Sequence, residues 1–397
     1  MTSAHDALPS ARATARLLVF EDSVYKRDVA RAYTDQSFLW FALHLAERFP
    51  SLEVLGRLDP VPGRSYYPLP DGVRLVPLPH YDSLAHPSAL PALLRSAWTT
   101  WSALGRADVA WVMGPHPMAV LMVLLAPLRD TRVVLGVRQD LPTYARHRHP
   151  GRRWTHRAAD VLEAVWRRLA RRHAVVAVGP ELRQAYDRSP HAVELGISLV
   201  PSSQLDAPAT RGSYDGALQV VSVGRLEAEK NPLLLADVLA LLRADDDRWH
   251  LVVCGEGPMR AALQARLDAL GLSRFAELRG YVPIDGGLRE AYLASHALLH
   301  VSWTEGVPQV LFEAWAAGLP VVATDVGGVR AVAGGAALLL PAGDAAAAAQ
   351  ALRTVADDPV RRAALVAAGR ARAAENTMET ALARLGDLLQ EEATCAG

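Results

Sequence analysis

Residues 297–324 read ALLHVSWTEGVPQVLFEAWAAGLPVVAT. The stretch begins and ends with short apolar runs, at 297–301 and 321–324, and each run predicts a buried strand. Between the runs, Pro308 suits the first turn of a helix, and apolar residues follow it at helical spacing. A buried strand, a helix and a second buried strand indicate a βαβ unit, whose strands are parallel.

The same alternation of apolar runs and helical patterns covers most of the 397-residue chain. Strands are predicted at 17–20, 52–55, 73–76, 109–112, 133–137 and 175–178, and again at 218–223, 250–254, 276–280, 297–301 and 321–324. Strands buried on both faces are typical of parallel sheets that are covered by helices. The predicted fold class is therefore α/β, with two Rossmann-like domains.

The length of the chain also favours two domains over one. The best candidate for a linker is the polar, strand-free stretch PSSQLDAPATRGSYDG at 201–216. We expect the Ala-rich helical pattern from Asp344 onward to break near Asp358 and Gly369. The predicted organisation is a flexible N-terminus at 1–14, an N-terminal domain at 15–200, a C-terminal domain at 217–373 and a C-terminal helix at 374–397.

The composition excludes several classes of protein. Lys and Arg total 42 and Asp and Glu total 42, so the chain lacks the basic excess of a nucleic-acid binder. Its two cysteines, Cys254 and Cys395, exclude a disulfide framework or a zinc cluster. The longest apolar run, 118–128, is too short to span a bilayer, and residues 1–14 lack the apolar core of a signal peptide. These features predict a cytoplasmic protein.

In open parallel sheets, ligands bind beyond the carboxyl ends of the strands. Glycines, cations and carboxylates follow the predicted strands of the C-terminal domain at 224–225, 255–257, 280–281, 302–306 and 325–328. These residues therefore collect at one edge of the sheet. The carboxylates Asp245, Asp246 and Asp247 precede their strand, and we expect a solvated turn there rather than a metal site.

Four charged residues at this edge are candidates for ligand binding. Arg225 and Lys230 are five positions apart, just before Pro232, and two cations at a helix N-terminus favour an anion. Glu305 lies in a strand–helix loop and Glu313 in the following helix, so both could bind hydroxyl groups. From these residues alone, a solvated turn and surface carboxylates are open alternatives. The stretch GEGPMR that starts at position 255 fits a phosphate-binding turn or a plain strand–helix turn.

Four motifs in a fixed order narrow these alternatives. GRLEAEKN at 224–231, CGEGP at 254–258, RGYV at 279–282 and EGVPQVLFEAWAAGLPVVATDVGG at 305–328 resemble the retaining GT-B glycosyltransferases of family 4. The resemblance implies two facing Rossmann-like domains, with a nucleotide-sugar site in the C-terminal domain and an acceptor site in the N-terminal domain. It also implies that the C-terminal helix packs back on the N-terminal domain.

The resemblance further implies a role for each motif. The residues expected to hold the donor diphosphate are Arg225 and Lys230, with backbone amides around Gly306 and Val307, and Gly224 and Gly255 are further candidates for donor binding. Those expected on the rest of the donor are Glu305 for the sugar ring, Glu313 for the ribose, and Tyr281 and Val282 for the base. No metal or other cofactor is expected, because Arg225 and Lys230 would neutralise the departing diphosphate.

The N-terminal domain matches the family less closely. Residues 20–28, FEDSVYKRD, stand where family members have a glycine-rich loop, and they include Lys26, a candidate for acceptor binding. His116, in GPHP, lies where the family places a sugar-contacting and catalytic histidine, and a structural histidine is the alternative. Arg138 and Asp140 follow a predicted strand and are further candidates for acceptor binding.

One stretch, 146–173, departs from neutral charge, with nine arginines against Asp160 and Glu163 alone. Its predicted apolar face consists of Val161, Leu162, Val165, Trp166 and Leu169. Two interpretations are open. A basic amphipathic helix can lie on anionic lipid, as a peripheral membrane contact, or hold a phosphorylated acceptor. Alternatively, the helix packs on the core and exposes its arginines to solvent.

The sequence therefore predicts an enzyme that moves a sugar from a nucleotide-diphosphate sugar to an acceptor and retains the anomeric configuration. The predicted acceptor is a glycolipid, a small metabolite or a natural product. One alternative is a sugar-nucleotide epimerase with a related fold. Another is a catalytically silent GT-B partner subunit, which the unusual residues 20–28 favour.

Overall fold

The computed structural model describes residues 15–81, 89–148, 151–196, 198–205 and 213–394. The chain forms two compact units. The first unit consists of Met1–Val178, Leu182–Leu195 and the chain from Leu382, and the second unit consists of Gly179–Glu181 and Gly196–Ala381. The predicted N-terminal segment 1–14 and residues 206–212 of the predicted linker lie outside the described residues.

The first unit is built on one mostly parallel sheet. Its strands are β1 (Arg16–Arg27), β2 (Ala32–Thr34), β3 (Ser51–Leu58), β4 (Tyr67–Pro68), β5 (Val73–Leu78), β6 (Val109–Gly114), β7 (Arg132–Val137), β8 (Ala174–Val178) and β9 (Ala192–Leu195). The parallel strands follow the order β5-β3-β1-β6-β7-β8-β9. β2 pairs with the far end of β1, and β4 pairs with β2, both in antiparallel fashion.

The helices of this part of the chain are α1 (Ser37–Leu43), α2 (Ala89–Leu104), α3 (Pro117–Leu125), α4 (Leu141–Arg148), α5 (Arg153–Ala170) and α6 (Pro180–Ala185). Three of them share one apolar core with the sheet. Leu104 of α2, Met122 of α3 and Trp166 of α5 belong to the same buried cluster as Val112 of β6. α2, α3 and α5 therefore cover the same face of the sheet.

The prediction that residues 20–28 form a loop is wrong. β1 continues to Arg27, with an irregular register before Val24, and Lys26 pairs with Tyr33 of β2. The strand continues because β2 supplies an antiparallel partner for its far end. Strand β2 is only three residues long, so it shows no apolar pattern by which it could be recognised in the sequence.

The second unit is built on a six-stranded parallel sheet in the order β12-β11-β10-β13-β14-β15. The strands are β10 (Leu218–Val223), β11 (Trp249–Cys254), β12 (Ala276–Gly280), β13 (Ala297–His300), β14 (Val321–Thr324) and β15 (Ala337–Leu340). The helices are α7 (Leu233–Asp245), α8 (Arg260–Ala269), α9 (Arg289–Leu293), α10 (Gln309–Ala316), α11 (Val329–Ala333), α12 (Ala345–Asp357), α13 (Pro359–Glu375) and α14 (Met378–Thr394). This strand order is that of a Rossmann sheet, and the predicted α/β class is confirmed.

The C-terminal helices differ from the prediction at one residue. As expected, the helix breaks at Asp358, whose carboxylate caps α13 by accepting a hydrogen bond from the amide of Arg361 at 2.8 Å. Gly369 was expected to be a second break, but it lies inside α13, where a Cβ would overlap the ring of Trp315. The glycine therefore permits α13 to pack closely on α10.

Helix α14 begins with residues of the second unit and continues with residues of the first unit. Its residues from Leu382 onward group with the first unit. There, the guanidinium of Arg48 donates to the carbonyl of Ala383 and to Oε1 of Gln390, both at 2.9 Å, and pairs with Asp387. The first unit is therefore discontinuous in sequence, and the second unit is inserted into it.

The basic helix α5 buries only part of the apolar face predicted for it, and Leu169 packs against the core. Trp166 is fully buried, but Val161 is 65% exposed and Val165 is 37% exposed. Glu163 is buried in their place and accepts a hydrogen bond from the hydroxyl of Tyr186 at 2.8 Å. Part of the predicted apolar face is therefore exposed, and a carboxylate with its own hydrogen-bond partner occupies the inner face of the helix.

Candidate functional site

Two loops of the second unit start side by side at the carboxyl edge of its sheet. β10 and β13 are adjacent parallel strands, residues 224–232 follow β10, and residues 301–308 follow β13. The strand order reverses between these two strands, and open α/β sheets bind their ligands at such a point. The topology thus brings together two charged segments that are far apart in the sequence.

A buried polar cluster connects these loops. The Nζ atom of Lys230 lies 2.5 Å from Oε1 of Glu305, whose side chain is 8% exposed. The hydroxyl of Ser302 donates to the same oxygen at 2.6 Å, and Nε2 of His300 lies 2.9 Å from it. Among the described residues, no hydrogen bond reaches Oε2 of Glu305. This second oxygen is therefore available to a ligand.

The charge of Glu305 follows from its partners. Burial raises the pKa of a carboxyl group, but here the hydrogen bond from His300 and the positive charges of Lys230 and His300 outweigh that effect. Together they hold the pKa of Glu305 well below its usual range. Glu305 is therefore an anion at physiological pH, and a buried anion with one uncommitted oxygen is a strong hydrogen-bond acceptor.

The loop that carries Glu305 packs against the loop after β14. The hydroxyl of Thr324 donates to the carbonyl of Ser302 at 2.8 Å. Gly327 has a φ of +50°, and a Cβ at this position would overlap the carbonyl oxygen of Glu305. Glycine is therefore required here both for the backbone conformation and for the close approach of the two loops.

Gly306 and Val307 lie between Glu305 and Pro308, the residue that caps the N-terminus of α10. A Cβ at Gly328 would overlap the carbonyl oxygen of Gly306, so this turn also depends on a close backbone contact. The amides of the turn lie at the start of a helix, where negative charge is favoured.

Arg225 points to carboxylates of its own loop. Its guanidinium pairs with Glu227 and lies 3.3 Å from Oε1 of Glu229, and its side chain is 61% exposed. Burial opposes the ionisation of Glu229, but a hydrogen bond with Glu227 and the charges of Arg225 and Lys230 lower its pKa. Glu229 thus interacts with both cations, and an incoming anion would compete with it.

The loop after β10 leads directly into α7. Asn231 has a φ of +51°, and Pro232 follows as the N-cap residue of the thirteen-residue helix without any side-chain cap. Among the described residues, the buried Nδ2 atom of Asn231 has no hydrogen-bond partner. The amides of Leu234 and Leu235 donate to the carbonyls of Asn231 and Pro232, each at 3.2 Å, so the positive end of the helix dipole, rather than a set of free N–H groups, favours an anion beside Lys230.

Glu313 lies inside α10, as predicted. The hydroxyl of Tyr292 donates to its Oε2 atom at 2.7 Å. Burial raises the pKa of Glu313, and the hydrogen bond from Tyr292 only partly offsets the increase. The carboxyl group lines a cavity together with Val200, Gln204 and Arg289. Glu313 is thus held by one oxygen beside a cavity of about 20 Å³, which has room for about one water molecule.

The glycines after β11 serve contacts between neighbouring loops. A Cβ at Gly255 would overlap the carbonyl oxygen of Gly224, and a Cβ at Gly257 would overlap the backbone of Leu226. The amide of Leu226 also donates to the carbonyl of Glu256 at 2.8 Å. These contacts explain why glycines are needed in this strand–helix turn, and they fit the second of the two interpretations made from the sequence.

Tyr281 and Val282 follow Gly280, which has a φ of +75° at the end of β12. Both side chains are half-buried, and Val282 packs against an apolar core of the second unit. Their position at the carboxyl edge of the sheet is the one expected for residues beside a bound base.

In the first unit, a polar cluster surrounds Asp22. Its Oδ1 atom lies 2.9 Å from Nε of Arg57 and accepts a hydrogen bond from the hydroxyl of Tyr81 at 2.8 Å. Its Oδ2 atom lies 3.2 Å from Nε2 of His116. Burial opposes ionisation, but His116, Arg57 and Tyr81 lower the pKa of Asp22 to about 2.

Both ring nitrogens of His116 have neighbours within the first unit. Nδ1 accepts a hydrogen bond from the amide of Met118 at 3.2 Å, which caps α3, and Nε2 faces Oδ2 of Asp22 at 3.2 Å. These contacts favour the structural interpretation of His116. A sugar contact by His116 stays a prediction.

The three acceptor candidates occupy different environments. Arg138 pairs with Glu21, whose side chain is buried and whose Oε2 atom has no partner among the described residues. Asp140 accepts a hydrogen bond from the amide of Thr143 at 2.9 Å and so caps α4. Lys26 is exposed on β1. Acceptor binding by these residues stays a prediction.

Comparison with known proteins identifies the second unit. Residues 204–372 match the family described as glycosyl transferases group 1. Most of the second unit is therefore similar to members of this family. The chain is 34% identical over 221 residues to a D-inositol 3-phosphate glycosyltransferase of Actinosynnema mirum, a match that covers 51% of this chain and 52% of that protein. It is 36% identical over 132 residues to a GDP-mannose-dependent alpha-mannosyltransferase of Mycolicibacterium smegmatis, covering 33% and 32%. The chain thus spans about half or less of these relatives.

Solved structures extend the likeness to the whole fold. The Anabaena protein HepE in complex with UDP has a TM-score of 0.69 and 15% identity, over 95% of this chain and 100% of its own. WaaG, a glycosyltransferase involved in lipopolysaccharide biosynthesis, has a TM-score of 0.65 and 15% identity, over 94% and 99%. The predicted GT-B fold is confirmed.

In the second unit, the carboxylates at the end of α7 are paired with arginines. Asp245 lies 2.6 Å from Arg353, and Asp246 lies 2.7 Å from Arg248. They precede β11, at the edge of the sheet opposite Glu305. Throughout the part of the chain that the structure describes, no group of three His, Cys, Asp or Glu side chains could hold a metal ion.

Sequence analysis missed several residues of the second unit that support the candidate site. His300 and Ser302 contact Glu305, and Tyr292 contacts Glu313. One signal was present, because His300 is a polar residue at the end of the otherwise apolar strand ALLH. Tyr292 gave no comparable signal, since an aromatic residue in a helix is usually part of the core.

Proposed function

We propose that the chain is a retaining glycosyltransferase that transfers a sugar from a nucleoside diphosphate sugar to an acceptor hydroxyl without a metal ion. The observation that carries this proposal is the cluster in which Lys230, His300 and Ser302 hold the anion of Glu305 at the point where the strand order reverses. The match of residues 204–372 to group 1 glycosyltransferases supports it.

The donor diphosphate binds to cations and helix amides. Arg225 has a planar guanidinium that can chelate two phosphate oxygens, and Lys230 supplies a compact positive charge. The start of α7 adds the positive end of the helix dipole beside Lys230. When the diphosphate binds, it takes Glu229's place beside Arg225, because its charge is larger than that of one carboxylate.

The sugar and the nucleoside bind to the two glutamates. Glu305 accepts hydrogen bonds from sugar hydroxyls through its uncommitted oxygen, while Lys230 and His300 keep it ionised. Glu313 binds the ribose hydroxyls beside the cavity that it lines. Tyr281 and Val282 pack against the base.

The transfer uses no nucleophile from the protein. The bond between the anomeric carbon and the diphosphate oxygen breaks, and its electron pair stays on that oxygen. The acceptor oxygen bonds to the same face of the anomeric carbon, and its proton passes to the departing diphosphate. Arg225, Lys230 and the α7 amides stabilise the charge that develops there, and preorganised contacts of this kind lower a barrier effectively.

The test is the initial rate of transfer with a panel of nucleotide sugars and acceptors, with and without excess EDTA. Arg225→Ala and Lys230→Ala should each lower turnover about a hundred- to thousand-fold, the usual effect of removing one such contact. Arg353→Ala is the control, because this arginine also pairs with a carboxylate but lies at the opposite edge of the sheet. The double variant should be less than additive, since both cations act on one group.

Three results would contradict the proposal. Loss of wild-type activity in EDTA would exclude the metal-free mechanism. Near-normal turnover of both cation variants would exclude their assigned role. If the purified protein neither hydrolyses nor transfers the donor, a silent partner subunit would be favoured. If it releases a nucleotide sugar with the configuration of one sugar carbon changed, an epimerase would be favoured.

A further inference from the structure

The outer face of α5 carries a regular stripe of arginine and apolar side chains. Ala159, Glu163, Trp166 and Ala170 face the sheet. On the opposite side, residues recur at helical spacing and are all exposed: Trp154, Arg157, Val161, Val165 and Arg168, with Arg172 in the turn just after the helix. Trp154 is 57% exposed and Val161 is 65% exposed. We call this set the α5 stripe.

The charge of the α5 stripe is not neutralised. The two acidic residues of this helix are already used, because Glu163 pairs with Arg167 and Asp160 pairs with Arg146. Among the described residues, no carboxylate pairs with Arg157, Arg168 or Arg172. The α5 stripe therefore presents three free cations between its apolar side chains.

The neighbouring helix α3 is apolar on every side. Its sequence, PMAVLMVLL, contains no polar side chain. A helix of this kind is normally buried all round. Here Leu124 is 59% exposed, and Leu128, in the turn that follows α3, is 68% exposed. The outer side of α3 thus has the composition of a buried surface without being buried within the unit.

α2 extends this surface on the other side of α3. Its outer residues include Leu94, which is 67% exposed, and Trp98, which is 74% exposed. α3 contacts both α2 and α5, and all three helices cover the same face of the sheet. Half of the large hydrophobic side chains that are exposed among the described residues lie on these helices and the turn after α3. An accumulation of this size marks an interaction surface.

We propose that this surface, formed by α2, α3 and α5 of the first unit, binds the headgroup region of an anionic membrane. Exposed tryptophans and leucines insert at the boundary between headgroups and acyl chains, where aromatic rings are favoured. The free arginines of the α5 stripe attract anionic headgroups. None of the helices that the structure describes has the length and apolar character to cross a bilayer.

The charge of the surface distinguishes lipid from a second copy of this chain. In a two-fold symmetric dimer the same patch meets itself, so the arginines of the α5 stripe would face one another. The absence of paired carboxylates on this stripe leaves that repulsion uncompensated. An anionic lipid surface is complementary both to the cations and to the apolar side chains.

The test is sedimentation of the full chain with phosphatidylcholine vesicles, with and without phosphatidylglycerol. Binding should require phosphatidylglycerol and should weaken as salt is added, because screening acts over about 10 Å at 0.1 M. Arg157→Gln combined with Arg168→Gln should weaken binding about thirty-fold, since each cation near the surface contributes on the order of a factor of five. Arg361→Gln combined with Arg384→Gln removes the same charge from exposed positions outside this surface and should leave binding unchanged.

A second pair of variants tests the apolar contribution. Leu124→Ser should weaken binding, while Val360→Ser, at a 79% exposed position of α13, should not. Glu305→Ala should bind vesicles as the wild type does, so the result is independent of the proposed catalytic role. No binding to phosphatidylglycerol vesicles at low salt would overturn the proposal. Equal effects of the two arginine pairs, or a dimer in solution that Leu124→Ser dissociates, would also overturn it.

Discussion

Glu305 makes its three contacts through one oxygen, so mutation can separate its charge from its shape. Glu305→Gln keeps the volume but removes the anion that we assign to the sugar, and turnover should fall about a hundred- to thousand-fold. Glu305→Ala should abolish transfer. Glu313→Ala removes a group assigned to the ribose and should mainly raise the KM for the donor. Steady-state kinetics that separate kcat from KM test the division.

Two results would contradict this division of roles. Normal turnover of Glu305→Ala would show that the sugar is held elsewhere. A change confined to kcat in Glu313→Ala would place that residue at the reacting bond rather than at the ribose. Circular dichroism of each variant should match that of the wild type.

The raised pKa of Glu313 predicts a pH-dependent stability. A carboxyl group whose pKa is higher in the folded state stabilises the protein below its unfolded pKa, about 4.3, and this contribution is lost as the pH rises through the folded pKa. Glu313→Gln does not ionise. Relative to the wild type, its free energy of unfolding should therefore rise by up to about 1.4 kcal/mol per pH unit between the two pKa values.

Urea denaturation at several pH values measures this difference. Glu290→Gln, at an exposed position of α9, is the control and should show no such trend. A constant difference between Glu313→Gln and the wild type at every pH would contradict the prediction.

At the scale of elements, the close packing of the loop after β14 should hold the loop after β13, and with it Glu305, in the position that transfer requires. Gly327→Ala introduces a Cβ that overlaps the carbonyl oxygen of Glu305, so the loop that carries Glu305 must move. Gly335→Ala is a matched control, because Gly335 has a φ of +93° but no atom within 4 Å of the added Cβ. Both variants should lose about 1 kcal/mol of stability from backbone strain. Only Gly327→Ala should lose transfer activity, and equal activities would contradict the prediction.

The buried strands of the second unit could be predicted closely from their apolar runs. The predictions at 276–280 and 321–324 coincide with β12 and β14. β1 was predicted too short, because Glu21 and Asp22 interrupt its apolar pattern. Their partners, Arg138 and Arg57, lie far away in the sequence, so no local pattern reveals that these carboxylates can remain inside a strand.

The sequence predicted at which edge of the sheet the candidate site lies, but it did not predict the contacts between the side chains of the site. The predicted strands and the motifs placed Arg225, Lys230 and Glu305 beyond the carboxyl ends of strands, at one edge of the sheet. The direction of each side chain depends on its partners: Lys230 contacts Glu305, whereas Arg225 contacts Glu227. The carboxylates near each cation are alternative partners of similar interaction energy, so a sequence pattern does not show which of them the cation contacts.

At the scale of the whole molecule, a nucleoside diphosphate should stabilise the second unit selectively. At a concentration 100 times its dissociation constant, a ligand adds about 2.7 kcal/mol to the stability of the unit that binds it. Hydrogen exchange with UDP or GDP should therefore show protection at residues 224–232 and 301–308. A nucleoside monophosphate, which lacks the second phosphate, should protect these loops less. Protection confined to the first unit would contradict the assignment of the donor site.

The discontinuity of the first unit has a consequence for the order of events during translation. The chain leaves this unit after Leu195 and returns to it at Leu382. Ribosomes add about 5–20 residues per second, so the intervening segment takes roughly ten to forty seconds to emerge. During that interval Arg48 lacks Asp387 and Gln390, its partners on α14. The second unit, being almost continuous, can thus complete its fold while the first, although begun earlier, is still unfinished on the ribosome.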